Sequence, residues 1–249
     1  MTPTLRLHPL RGMPEIEPGA DLAGLLIEAA GRDGLALRDG VVVVCQKVLS
    51  KAEGRVVDLA TVTPSAEASR IAAADGKDAR VVELVLRETR RIVRHHHGVM
   101  ICETRHGFVC ANAGVDLSNA PGPDVAILLP EDCDASAARL RAALQTRGAG
   151  PLAVIVSDTF GRPWREGLVD MALGCAGIAP IDDRRGSFDR GGRTLQVTAT
   201  ATADQLAAAA GLLMPKDSGV PAVFVEGVEL VGDGRIADTL RNPDEDLFR

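Results

Sequence analysis

Four polar segments of the 249-residue chain hold residue types suited to phosphate and metal chemistry. The first, residues 46–55 (QKVLSKAEGR), carries Lys47 and Lys51 directly after an apolar run at residues 41–45. Lysines at the end of a buried strand, near the start of a helix, can hold phosphate oxygens. The alternative is that both lysines, four residues apart, are solvated helix positions. No GxxxxGKS/T or GxGxxG pattern occurs here, so neither common phosphate-binding loop explains the segment.

The second segment, residues 111–122 (ANAGVDLSNAPG), is a loop of small residues that is rich in oxygen donors. It holds the carboxylate of Asp116, the amides of Asn112 and Asn119, and the hydroxyl of Ser118. Carboxylate and carbonyl oxygens are preferred ligands of Mg²⁺ and Mn²⁺. The alternative is a turn in which Asn and Asp side chains bind their own backbone.

The third segment, residues 157–167 (SDTFGRPWREG), follows another apolar run. Asp158 with Thr159 at a strand end can ligate a metal that bridges nucleotide phosphates. Arg162 and Arg165 are candidates to clamp a phosphate or carboxylate in bidentate fashion. The alternative for Asp158 is an N-cap on a following helix.

Other conspicuous residues predict structure more than chemistry. The fourth segment, residues 214–221 (MPKDSGVP), is by itself an ordinary helix-to-strand connection, and residues 182–185 (DDRR) predict a charged loop. Trp164 and Cys45 are expected in the core. The histidines at 95–97 resemble a metal-binding tract, but consecutive strand residues point to opposite faces, which favours a solvated strand end or basic patch.

Alternating helix and strand patterns predict a mixed α/β fold that positions these segments, because ligands bind where strands of open α/β sheets end. Predicted helices cover residues 21–30 with Asp21 as N-cap, 66–74, 79–92, 134–144, the stretch from after Pro163 to Gly174, and 203–213. Predicted strands cover residues 41–45, 98–103, 107–110, 124–129, 153–156, 194–202 and 221–225.

Composition excludes several classes of function. The chain is 46% hydrophobic and 25% charged, with five Phe, one Trp and no Tyr, so aliphatic residues must build its core and an aromatic stacking platform is not expected. Lys and Arg total 28 against 34 Asp and Glu, a net charge of -6, which argues against nucleic-acid and anionic-membrane partners.

The chain lacks the features of secreted or membrane-spanning proteins. No apolar run approaches the roughly 20 residues that span a bilayer, and residues 1–19 lack the pattern of a secretory signal. The five cysteines (Cys45, Cys102, Cys110, Cys133, Cys175) are scattered and never form CxxC. Neither a disulfide framework nor a structural zinc site is predicted, and a cytoplasmic location is expected.

Four ordered motifs resemble those of the coenzyme F420-0:L-glutamate ligases, the F420 gamma-glutamyl ligase family. They are VVVVCQKVLSKAEGRVVDL (41–59), ETRHGFVCANAGVDLSN (103–119), SDTFGRPWREGLVDMALGCAG (157–177) and the closing DEDLFR (244–249). The resemblance begins at GMPEI (12–16) and covers nearly the whole chain. It implies an F420 gamma-glutamyl ligase-like α/β fold as an intertwined homodimer. It also implies one module over residues 1–249, with room for two lobes, and without the flavin reductase-like domain that follows it in some relatives.

The resemblance implies a GTP-dependent ligase in coenzyme F420 biosynthesis that joins L-glutamate to F420-0. An acyl phosphate would form first, GDP and phosphate would be released, and the product would be F420-1 or a longer gamma-glutamyl tail. The family uses Mg²⁺ or Mn²⁺, with K⁺ in some members. Carried over by motif, the catalytic residues are Lys51, Asp116 and Asp158, and the metal ligands are Asp116, Asp158 and Thr159. The residues expected around GTP are Met13, Pro14, Glu15, Ile16, Gln46, Lys51, Asn119, Met214, Pro215, Lys216, Asp217, Ser218, Gly219, Val220 and Pro221.

One position departs from the family's pattern. Many relatives have Gly-Gln where this chain has Pro215-Lys216, and that Gln contributes to a second metal site. A protonated lysine cannot ligate a metal, so Lys216 is expected to neutralise phosphate charge instead. Two rival readings remain: a ligase of the same chemistry that acts on another carboxylate, and a GTP-binding regulator without catalysis.

Overall fold

The computed structural model describes residues 4–246, so the last three residues of the DEDLFR motif lie outside the described part of the chain. Within residues 4–246 the strands are β1 Arg6–Leu10, β2 Gly40–Cys45, β3 Val56–Asp58, β4 Thr89–His96, β5 Val99–Thr104, β6 Val109–Ala111, β7 Val125–Ile127, β8 Leu152–Arg162, β9 Arg165–Ala176, β10 Asp182–Asp183, β11 Ala199–Thr200 and β12 Ala222–Glu226. The α-helices are α1 Leu22–Arg32, α2 Gln46–Ala52, α3 Ala66–Asp75, α4 Ala79–Glu88, α5 Cys133–Thr146 and α6 Thr202–Gly211. The predicted mixed α/β class is confirmed. None of these helices is both long and apolar enough to cross a bilayer.

A five-stranded sheet in the order β1-β12-β2-β8-β9 forms the centre of the fold. β2 and β8 are parallel, with Cys45 opposite Ser157, and the other neighbours are antiparallel. Ala222, which begins β12, lies opposite both Val44 and Leu10. The carboxyl ends of β1, β2 and the paired part of β8 therefore share one edge of the sheet with the amino end of β12.

The central sheet is covered by helices on both faces. Val42 and Val44 pack with α1 and α5, whereas Val41 and Val43 pack with α6. This two-sided burial explains why β2 is a continuous Val run without alternation.

A separate, smaller core is built from α3, α4 and the strands of residues 56–127. Its strands form a two-stranded sheet, β3-β7, and a three-stranded sheet, β4-β5-β6. Residues 116–119 leave this smaller core and reach the edge of the central sheet, where the Asn119 side chain donates to the Lys216 carbonyl oxygen at 3.3 Å.

Most predicted elements are present, with ends that differ by a few residues. The Asp21 side chain accepts the Gly24 N–H at 3.1 Å, which confirms it as the N-cap of α1. The β-branched run at 41–45 is β2, and the strand predicted at 153–156 extends as β8 to Arg162. The predicted helix at 203–213 is α6, which begins at Thr202.

The helix predicted after Pro163 is wrong. Residues Arg165–Ala176 form β9, which pairs antiparallel with β8 across the turn at Pro163-Trp164. The helical spacing of its apolar residues is overridden by this long hairpin, in which a local pattern cannot reveal the partner strand. Asp158 therefore lies within a strand and caps no helix, and Trp164 is 83% exposed at the turn instead of packing in the core.

Two further element predictions are corrected. The helix predicted over 79–92 ends at Glu88, because Thr89 adopts an extended conformation and begins β4, which pairs with β5. The strand predicted over 194–202 is reduced to β11, the two residues Ala199–Thr200. His95 and His96 do lie in a strand, and His95 pairs with Asp75 at 2.7 Å.

Candidate active site

A cavity of about 230 Å³ lies at the sheet edge where β1, β2, β8 and β12 meet. We call it the sheet-edge cavity. It is the crevice beyond the carboxyl ends of the parallel strands, the usual ligand position in α/β sheets. Its lining brings together Met13, Pro14, Glu15, Ile16, Cys45, Lys47, Val48, Lys51, Asn119, Ser157, Asp158, Thr159, Asp170, Met214, Pro215, Lys216, Gly219, Val220 and Pro221.

Strand order explains why segments 200 residues apart converge here. The GMPEI loop follows β1 and α2 follows β2, so both leave the sheet at this edge. The turn at 214–221 enters β12 at the same edge, and the Pro221 carbonyl oxygen accepts the Cys45 N–H at 2.9 Å. Of the residues predicted around GTP, Gln46, Asp217 and Ser218 lie beside this cavity's lining without belonging to it.

Lys47 and Lys51 are not solvated helix residues. Lys51 is buried in the last turn of α2, and its ammonium is paired with Glu15 of the GMPEI loop. The Lys47 ammonium donates to Ser118 Oγ at 2.6 Å and lies 2.8 Å from Asp116 Oδ2. Both cations are thus held at the cavity wall by carboxylates, where an anionic ligand would meet them.

Asp116 is connected to the sheet-edge cavity through Lys47. Its Oδ1 accepts the Ser118 N–H at 2.7 Å, so the turn expected from the Asx alternative is present as well. Burial opposes ionisation of Asp116, but the hydrogen bonds from Lys47 and Ser118 outweigh it and hold the pKa of Asp116 below its ordinary value. Asp116 is therefore an ionised carboxylate at neutral pH.

Asp158 and Thr159 lie in the middle of β8, at the cavity floor. Burial raises the pKa of Asp158 to about 6, against the lowering effects of the Thr159 N–H and the Lys47 charge. Thr159 Oγ1 donates to Asp170 Oδ1 at 2.7 Å, and Asp170 is opposite Thr159 in β9. The sequence does not predict Asp170 as a site residue, because the pattern after Pro163 predicts a helix and the pairing of Asp170 with Thr159 appears only in the β8–β9 hairpin.

Two buried polar atoms at this edge have no hydrogen-bond partner within residues 4–246. Gln46 Oε1 accepts from Ser50 at 2.7 Å while its Nε2 is unpaired, and Ser157 Oγ is unpaired at the cavity wall. An unpaired buried donor or acceptor costs about 1–3 kcal/mol, which a polar ligand can recover.

The donor set fits a divalent cation that a nucleotide helps to hold. Asp158 is a half-buried carboxylate without a bonded cation among the described residues, and Thr159 and Asp170 add oxygens beside it. Within residues 4–246 no three His, Cys, Asp or Glu side chains cluster as a complete metal site. Mg²⁺ commonly takes one or two protein carboxylates and completes its shell with waters and substrate phosphates, so a partial protein shell suits it.

The backbone beside Asp116 is strained. Asn112, Ala113 and Gly114 take positive φ values of 51°, 51° and 74° in succession. Ala in this left-handed region is unfavourable, and such strain concentrates at functional sites. The turn directs the chain out of the smaller core toward Lys47.

Two other features are placed away from the sheet-edge cavity. Arg162 donates to the backbone of Glu166 and, at 3.4 Å, to that of Gly167, so it holds the hairpin turn. Neither Arg162 nor Arg165 lines the sheet-edge cavity.

A larger cavity of about 430 Å³ lies at the start of α5. Its buried Asp134 already accepts the N–H groups of Cys175, Ile236 and Ala237, which leaves it a structural role.

Comparison with known proteins decides what kind of protein carries this site. The profile of the family described as F420-0:Gamma-glutamyl ligase matches residues 12–227. The chain belongs to this family. The match spans the GMPEI loop, both lysines, Asp116, the β8–β9 hairpin and the turn at 214–221.

Similar proteins extend over almost the whole chain. The coenzyme F420:L-glutamate ligase of Methanothermobacter thermautotrophicus is 46% identical over 245 residues, covering 96% of this chain and 97% of the relative. That of Methanopyrus kandleri is 44% identical over 254 residues, covering 99% and 98%. That of Archaeoglobus fulgidus is 38% identical, covering 98% and 96%. This member of the F420-0:gamma-glutamyl ligase family is a ligase enzyme, as predicted.

Proposed function

We propose that the chain is a GTP-dependent ligase of coenzyme F420 biosynthesis that forms an amide bond between L-glutamate and F420-0. The observation that supports this most is the convergence of the family's motifs on one cavity, which holds two carboxylate-paired lysines and the half-buried carboxylate of Asp158. The names of its relatives supply coenzyme F420 and L-glutamate, and the family's description supplies F420-0.

A carboxylate does not react with an amine directly, because its leaving group would be oxide. In the proposed reaction an oxygen of the F420-0 carboxylate attacks the γ-phosphorus of GTP, the bond to GDP breaks and an acyl phosphate forms. The glutamate amine then attacks the acyl carbon, phosphate leaves with the bonding pair, and the amine loses a proton. Phosphoryl transfer of this kind depends mainly on positioning and charge stabilisation.

The chain's own residues are suited to position the phosphates. Lys51, now paired with Glu15, would exchange that carboxylate for a phosphate oxygen. The backbone of the GMPEI loop and of residues 214–221 would surround the nucleotide, with Asn119 fixing the latter through Lys216. Asp116, Asp158 and Thr159 would hold Mg²⁺ or Mn²⁺, and Asp170 would orient Thr159. When bound, such an ion supplies positive charge to the phosphate oxygens.

Lys216 lines the sheet-edge cavity, and its charge acts on Asp158. We propose that its ammonium neutralises phosphate charge in place of the second ion that the family resemblance implies. Metal counting on the GTP-bound protein is expected to find one full-occupancy divalent ion; two ions would refute this role.

The decisive experiment is mass spectrometry of the protein incubated with F420-0, GTP, Mn²⁺ and L-glutamate, with a control lacking glutamate. We expect a glutamyl-extended product, GDP release in equal amount, and no extension in the control. Its mass gives the number of residues added. An unchanged acceptor despite bound GTP would overturn the proposal; a screen of other carboxylates would then separate a ligase for another acceptor from a regulator.

A further inference from the structure

A second cavity, of about 370 Å³, borders Asp116 directly. We call it the α4 cavity because Val81, Val82 and Val85 of α4 form one wall. Met100 of β5 and Val115 extend that apolar wall. Its volume lies within the roughly 300–1,000 Å³ of small-molecule sites. Lys47, which is bonded to Asp116 and lines the sheet-edge cavity, marks the boundary between the two cavities.

Two polar groups of the α4 cavity are available to a ligand. Asn112 lines it, and its Oδ1 is buried without a hydrogen-bond partner within residues 4–246. Lys77 lines it with an ammonium that pairs with no carboxylate in the described part of the chain. The cavity thus offers an apolar wall, one unpaired acceptor and one unpaired cation.

Leu117 adds an exposed apolar side chain. It lines the same cavity, is 46% exposed and directly follows Asp116. A ligand against the valine wall would also contact Leu117 and continue past Asp116 toward the nucleotide.

We infer that the α4 cavity binds the fused-ring deazaflavin of the acceptor, so that its chain extends past Asp116 into the sheet-edge cavity; this inference rests on the proposed function. The ring is planar and largely apolar, and its pyrimidinedione edge carries an N–H that suits Asn112 Oδ1. The acceptor's phosphate is anionic, which suits Lys77. The chain has no Tyr and one Trp, so aliphatic side chains must supply the apolar contacts to the ring.

The same features disfavour the other substrate. L-Glutamate carries two carboxylates and an ammonium, each of which needs a polar partner when buried. Beside its wall of three valines and a methionine, the α4 cavity offers one unpaired cation, Lys77, for the two carboxylates of glutamate. The largely apolar ring of the acceptor, in contrast, gains binding free energy when this cavity removes it from water.

The test uses a fluorescent fragment, the deazaflavin carrying ribitol but no phosphate, titrated into the full chain with GDP and Mg²⁺ while anisotropy is recorded. Val81 is partly buried, so Val81→Phe fills the cavity from its wall. We expect the fragment's Kd to rise roughly tenfold or more, since small steric changes in apolar pockets have effects of that size. Leu117→Ser, at an exposed position, is expected to weaken binding without affecting folding.

The matched control is Ile27→Phe, at a partly buried position in a different cavity of about 290 Å³ between α1 and residues 147–150. It should bind the fragment like the wild type, and GDP affinity should be equal in all variants. Failure of the wild type to bind the fragment, or unchanged binding by both Val81→Phe and Leu117→Ser, overturns the inference. Turnover of F420-0 by the wild type is scored separately, so failure of the proposed function is recognised independently.

Discussion

Asp158 is half-buried in β8, and desolvation raises its pKa from 3.8 to about 6. Because the folded pKa exceeds the unfolded one, the fold prefers the protonated carboxyl. Stability is unaffected below pH 3.8, falls as the pH rises toward 6, and stays reduced above it. A shift of about two pH units corresponds to at most roughly 3 kcal/mol.

Asp158→Asn removes this ionisation. In metal-free buffer at pH 7.5 we expect the variant to unfold at a higher temperature than the wild type, with the difference shrinking toward pH 4. We also expect glutamate-dependent turnover to be lost, because an amide is a poor ligand for the divalent ion. Calorimetry with a chelator and the mass-spectrometric assay check the two effects. Near-normal turnover would remove Asp158 from the mechanism.

A second prediction at the scale of single residues concerns the reactivity of the five cysteine thiols. Burial raises the thiol pKa of every one, to about 12 for Cys110 and Cys175. At pH 8 the reactive thiolate is therefore scarce. We expect Ellman's reagent to react slowly with the native protein and with five thiols after unfolding in guanidinium. Rapid labelling of one native thiol would contradict this, and Cys45, which borders the sheet-edge cavity, would be the first to examine.

Helix α6 positions Asp170 through a close contact at Gly211, the last residue of the helix. A methyl group added there would overlap the Asp170 carboxylate, which holds Thr159. We expect Gly211→Ala to displace Asp170, lower kcat and weaken Mn²⁺ binding by the free protein.

The control is Gly31→Ala in α1, where an added methyl group meets no atom within 4 Å. Replacing a helical Gly by Ala stabilises a helix by up to about 1 kcal/mol. The control should therefore raise the melting temperature and leave kcat and Mn²⁺ affinity unchanged. Equal kcat of Gly211→Ala and Gly31→Ala would show that catalysis does not depend on the position of the Asp170 carboxylate beside Thr159.

Helices and strands could be predicted from the sequence where neighbouring residues alone determine them. β2 is a β-branched run after a turn, and α1 carries its cap in the preceding Asp21. β9 was not predictable, because its strand conformation comes from pairing with β8 across a turn with Trp164 at a φ of 57°. The misassigned strand concealed Asp170, although Asp158 and Thr159 were found.

At the scale of the whole molecule, strand order assembles the candidate site. Lys51, Asp158 and the turn at 214–221 were each predicted, but their shared cavity depends on β12 pairing antiparallel to β2 and β8 pairing parallel to it. Such long-range pairing is not encoded in any local spacing. The motifs supplied the candidate residues, whereas only the fold shows that Glu15 pairs with Lys51 and that Lys47 pairs with Asp116.

The β8–β9 hairpin and residues 183–199 each expose large apolar side chains. Trp164, Leu168, Phe188 and Val197 are 83%, 65%, 71% and 87% exposed. Exposed apolar side chains mark an interaction surface where they form a contiguous patch. We propose these two segments as the contact of the homodimer that the family resemblance implies.

We expect the wild type to elute at twice the 26.1 kDa of one chain in light-scattering chromatography. Leu168→Glu combined with Phe188→Glu should shift it to the monomer, because paired copies would have to bury the new carboxylates. Leu5→Glu is the control, since Leu5 is also exposed but precedes β1 at the opposite edge of the central sheet. A monomeric wild type, or a double variant that stays dimeric, would exclude this surface. Retained activity in the monomer would show that one chain supplies a complete site.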